Sequence, residues 1–221
     1  MTYDLWFDEI NVLDPPAKNL RKEIARALDA LLRKFFRVRL KNILDGTYAE
    51  EQDYEHELVE LYMKAYGEMD ENYTAKASRF ALYVEQTTQR VLNSVPEDTE
   101  FSVLYRQHLP IDRSVVPKSV LKVLAQNGEA WDRVNEIAVN EAGWIANYED
   151  WKNARGAGAV TKTWMTILDG RERMTHRNAD GQTVPVNMPF HVGGSEMMFP
   201  LDDSLGAPPD EIVNCRCQAI Y

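Results

Sequence analysis

The chain has 221 residues, of which 44% are hydrophobic and 27% charged, enough for one large core or two modest ones. Its net charge of −10 argues against a protein whose whole surface grips nucleic acid. No run of about 18 apolar residues offers a membrane span, and the acidic opening MTYDLWFDEINVLD lacks the pattern of a secretory signal.

The stretch DPPAKNLRKEIARALDALLRKFFRVRLKNILDG predicts a long amphipathic helix. Asp14 can cap it, Pro15 and Pro16 suit its first turn, and Gly46 suits its end. Leu20, Ile24, Leu28, Leu31, Phe35 and Val38 recur at three- and four-residue steps and so share a stripe. Between Lys18 and Lys41 nine lysines and arginines face two acids, a basic island in an acidic chain. Arg33, Lys34, Arg37, Arg39 and Lys41 are therefore candidate contacts for an acidic protein or for phosphates, with a solvated helix face as the plainer alternative.

A second helix is expected over about 49–68, with Tyr54, Leu58, Leu61 and Ala65 on one side, and a third over about 71–94, with Tyr73, Ala77, Phe80, Val84 and Val91. Three prolines weaken the pattern from 94 to 117, Pro117 opens a short helix, and Asn127-Gly128 breaks it. A fifth helix then carries Trp131, Val134, Ala138, Glu141 and Ile145 on one stripe. Glu141 stands out there, because a buried carboxylate needs a partner.

After RGAGAV helical periodicity fades. TKTWMTILDG reads as a strand entering a turn, Asp180-Gly181 as a tight turn, and QTVPV as a short strand. The expected fold is α+β, mainly α: a helical body over 1–155 and a small, loop-rich, β-containing cap over 156–221.

A cap of this size buries little apolar surface alone and needs a staple. Cys215 and Cys217 are the only cysteines, too few for a disulfide framework, and a Cys-x-Cys bridge is strained; folding in a reducing cytoplasm is expected. One staple is a metal held by Cys215, Cys217 and His176, with Asp169, His191 or Asp202 as fourth ligand; the plainer alternative is two cysteines packed as hydrophobes. Another is an ion network of Asp169, Arg171, Arg173, Glu141 and Asp202, in which Glu141 ties the cap to the helices. No nucleophilic elbow, phosphate loop or complete ligand set is present, so no enzyme is expected.

Read in order, KTWMTILDGRERMTHRNADGQTVPV, Phe190, FPLDD and EIVNCRC resemble the C-terminal domain of the phage Mu F-like minor head proteins, the phage head morphogenesis family. Trp164, Asp169, Arg171, Arg173, His176, Asp180, Gly181, Phe190, Pro200, Asp202, Asn214, Cys215, Arg216 and Cys217 carry the resemblance, and Glu141 falls on the acid of the preceding helix. It covers about residues 130–221. Relatives with cysteines at the positions of Arg173 and His176, and a histidine before the closing Asn-Cys, look like zinc binders. Here Arg173 cannot ligate and Ile212 stands in place of that histidine, so the resemblance implies an incomplete zinc site.

The resemblance also implies a minor virion component that associates with the portal and with capsid or scaffold proteins, with packaged DNA as a candidate partner of the basic helix. It would lie in the head interior or at the portal vertex, after assembly in the host cytoplasm. No membrane contact and no cofactor beyond a structural zinc are implied. The alternatives are a metal-dependent nuclease or hydrolase of phage DNA processing and a zinc-stapled adaptor.

Overall fold

The computed structural model describes residues 3–10, 13–46, 54–66, 70–124 and 129–221. The fold is α+β and mainly α, with two small sheets confined to the C-terminal quarter. The change of character read at 155 matches the end of the last long helix at Gly156. Compactness divides the chain elsewhere, into a unit of Met1–Arg26 with Glu136–Tyr221 and a unit of Ala27–Asn135. The C-terminal segment therefore shares its unit with the first 26 residues and most of that last helix.

The helices in order are α1 (Tyr3–Asp8), α2 (Pro15–Leu44), α3 (Tyr54–Tyr66), α4 (Glu71–Asn93), α5 (Glu100–Arg106), α6 (Lys118–Leu124) and α7 (Glu129–Gly156), with a 3-10 turn at Arg113–Val115. Asp14 caps α2 by accepting from the Ala17 amide at 2.8 Å. The buried line of α2 runs through Ile24, Leu28, Leu32, Phe35, Phe36, Leu40 and Ile43. It departs from the expected stripe: Leu20 is exposed, and Leu31 and Val38 are half-buried. A helix turns 3.6 residues at a time, so a row written in fixed steps drifts off the buried face.

In the unit 27–135, α3 packs along α4, and the Tyr62 and Tyr73 rings meet at 5.4 Å. Asp70 caps α4 through the Asn72 amide. The side chains of Tyr54, Ala77, Phe80 and Trp131 and the Asn127-Gly128 break lie outside the described residues.

In the other unit, every residue of α7 from Glu141 to Glu149 is buried. Trp144, Tyr148 and Trp151 ring Phe199, each at 5.8 Å between centroids. Gly143 admits this loop, because a β-carbon there would lie 2.7 Å from Leu201 Cδ1. Arg21, also buried, donates to Asn147 Oδ1, and Asn147 donates to the Pro200 carbonyl.

Beyond α7 the chain forms β1 (Thr161–Met165), α8 (Met174–Ala179), β2 (Thr183–Pro185), β3 (Phe190–Val192), β4 (Ser195–Met197), α9 (Pro209–Ile212) and β5 (Gln218–Ile220). β1 is the centre of an antiparallel sheet ordered β2-β1-β5, with Thr163 opposite Thr183 and Trp164 opposite Ala219. The expected Asp180-Gly181 turn lies between α8 and β2, where Gly181 has φ +75° and its amide donates to the Trp164 carbonyl. β3 and β4 form a separate hairpin around Gly193-Gly194, both at positive φ.

Candidate functional site: a thiol and charge knot

β1 delivers Trp164 to the centre of the knot, fully buried. The Phe190 and His176 rings meet it edge to face at 5.3 and 5.6 Å. Its Nε1 donates to Thr166 Oγ1, and that hydroxyl donates to the His176 carbonyl at 2.9 Å. Asp180 accepts from the Thr166 amide at 2.7 Å, so this acid braces the end of β1.

Alternation along the closing segment explains Cys-Arg-Cys. Cys215 to Cys217 lead into β5, and their side chains alternate between two sides. Both sulfurs turn to His176, at 3.5 Å (Cys215) and 3.4 Å (Cys217) from Nδ1. Arg216 turns the other way and forks onto Asp169 with two contacts of 2.8 Å. Asn214 sets this up in a left-handed conformation, φ +61°, with its amide donating to Asn140 Oδ1 at 2.7 Å.

The charge cluster holds Asp169, Arg171, Arg216 and Glu9. Arg171 donates to Asp169 and, at 2.7 Å, to Glu9, which also accepts from Arg216 at 3.2 Å. Hydrogen bonds from Arg216 and then Arg171 hold the Asp169 carboxyl well below the usual range. Glu9 was not foreseen, and nothing in its local sequence signals a partner 162 positions away.

Three expectations for this network need correction. Glu141 is buried in α7, but the carboxylates that meet Arg171 are Asp169 and Glu9. Arg173 does not share the acids of Arg171; its guanidinium donates to the Val213 carbonyl. Arg173 immediately precedes α8 as its N-cap, and its side chain reaches the residue that follows α9. Asp202, fully buried, accepts from the Met198 and Ser204 amides and so ties its own loop. It stands near the fully buried Lys162, whose ammonium donates to the Met198 carbonyl and lies 4.9 Å from the Phe190 ring centroid. Burial pushes the Lys162 pKa down to about 8, partly offset by Asp202.

His176, Cys215 and Cys217 are all buried, with donor atoms within 4.8 Å of one another. Both thiols are free. The Cys215 thiol, donating to Cys217 and desolvated, is pushed up; Cys217, the acceptor, is pushed down, with further help from His176. Two cysteine sulfurs and an imidazole are donors that suit a soft cation such as zinc. None of the foreseen fourth ligands joins them: Asp169 is engaged by Arg216, Asp202 sits with Lys162, and His191 is exposed beside Glu196 at 3.6 Å. The cavity against the trio, bordered by Thr166, Arg173 and Asn214, is about 20 Å³, room for about one water.

The basic helix is largely engaged within its own chain. Arg33 pairs with Asp29, Lys34 with Glu57 and Arg39 with Glu85, at 2.6 to 2.9 Å. Arg37 and Lys41 are exposed, Lys41 in the last turn of α2.

No protein-family model, curated protein or solved structure matches the chain.

Proposed function

We propose that the chain is a minor head protein of a tailed phage that binds the portal, and that its C-terminal segment is a docking knot without catalytic activity. One observation supports this most: Trp164, Asp169, His176, Cys215, Arg216 and Cys217, scattered over 54 positions, come together in one cluster whose cavity has room for about one water. Such a cluster gives a small segment the staple its size requires. In this reading His176, Cys215 and Cys217 take one structural zinc ion, which ties α8 to the closing strand.

The test is co-expression of the full chain with the portal protein of the same phage, followed by size-exclusion chromatography. The two co-elute in this reading; separate elution contradicts it.

A second reading is metal-dependent hydrolysis of nucleic acid, favoured by three protein donors with one coordination position left over. The cavity of about 20 Å³ holds a water but not a nucleotide, which weighs against it. Incubating the zinc-, magnesium- or manganese-loaded chain with DNA separates the two, because the docking reading predicts no cleavage.

A further inference from the structure

Glu211, the first residue of EIVNCRC, is a buried carboxylate to which the sequence reading gave no role. It lies on α9 and accepts from the Thr175 hydroxyl at 2.8 Å; the same oxygen is 3.1 Å from His176 Nε2. An ionised carboxylate only accepts, so Nε2 carries the proton. The opposite nitrogen, Nδ1, is then the one turned to the two sulfurs.

The room for this carboxylate comes from the β3–β4 hairpin. A β-carbon at Gly193 would collide with Glu211 Oε1 and lie 2.8 Å from its Cδ, and Gly193 also has φ +58°. Two features, a glycine that vacates the space and a neighbouring threonine hydroxyl that donates to the carboxylate, hold Glu211 against one ring nitrogen.

We infer that Glu211, seated against Gly193, is the positioning residue of the His176–Cys215–Cys217 group, fixing the imidazole so that Nδ1 joins both sulfurs around one soft metal ion. This rests on the proposal that the trio takes a metal. Histidine ligands are commonly oriented in this way, and loss of the partner weakens metal binding about 10- to 100-fold.

The experiment titrates the reduced full chain with cobalt(II), read by thiolate-to-cobalt charge-transfer absorption, in wild type, E211Q, G193A and H191A. An amide accepts more weakly than a carboxylate and can also donate, so E211Q loosens the hold on Nε2–H while keeping the side-chain volume. Expected are binding about 10- to 100-fold weaker in E211Q and G193A and unchanged binding in H191A. Long-range proton–nitrogen spectra of the metal-free wild type give a readout that needs neither a variant nor a metal: His176 Nε2 carries a proton. A bare Nε2, or E211Q and G193A that bind as tightly as wild type, overturns the role of Glu211. Wild type that takes up no cobalt overturns the metal reading itself, and with it the inference.

Discussion

Arg216 and Asp169 meet fork to fork, Nη1 on Oδ2 and Nη2 on Oδ1, each at 2.8 Å. Arg216 is nearly buried, its side chain 7% exposed, whereas Arg171 on the same carboxylate is 47% exposed. The two arginines therefore differ in weight. Arg216→Ala is expected to cost about 2 kcal/mol, since it leaves Asp169 and Glu9 with one exposed partner. That corresponds to a midpoint lower by roughly 4–8 °C. Arg171→Ala is expected to cost much less, as exposed ion pairs do. Thermal unfolding of both variants checks the ranking, and the reverse order would move the anchor from Arg216 to Arg171.

Lys162 predicts how stability changes at alkaline pH. Its folded pKa, about 8, lies below the ordinary lysine value of 10.5, so between these limits the unfolded chain binds more protons. Stability attributable to this group therefore rises as pH climbs from about 8 to 10.5, and the burial cost is fully present below 8. Lys162→Met removes the titrating group. Chemical denaturation at pH 7.5 and 10 should show wild type gaining on the variant by about 2 kcal/mol. An unchanged difference would mean that the amine is solvated.

The thiol cluster predicts a response to metal. Zinc added to the reduced chain at about a hundred times its dissociation constant is expected to stabilise it by about 2.7 kcal/mol, and a chelator should reverse the gain. Cys217→Ser is expected to respond weakly or not at all. A calorimetric midpoint in wild type that ignores both zinc and chelator contradicts a metal staple.

Where residues interact with sequence neighbours, the sequence was legible. The α2 cap at Asp14, the extent of α4, the Asp180-Gly181 turn and the β1 strand all follow from short-range pattern. The two-residue spacing of the cysteines left open a shared group with His176 or simple apolar packing, and both sulfurs lie beside its Nδ1.

Other features escaped because their cause lies far along the chain. Glu9 and Asp169 converge on Arg216 from opposite ends of the sequence. Glu211 is recognisable only once Gly193 and Thr175 are seen to surround it. The six-residue α8 is too short to show a helical period. The basic run on α2 was visible as composition, but the acids that engage Arg33, Lys34 and Arg39 became visible only in the fold.

The account stands most directly on portal binding by the intact knot. The measurement is co-elution of the full chain with the portal protein of its own phage, repeated with Arg216→Ala and with a Cys215→Ser, Cys217→Ser double variant. The account predicts a stable complex with wild type and weakened association when either half of the knot is removed. Wild type that elutes alone, or variants that bind the portal as well as wild type does, would contradict it.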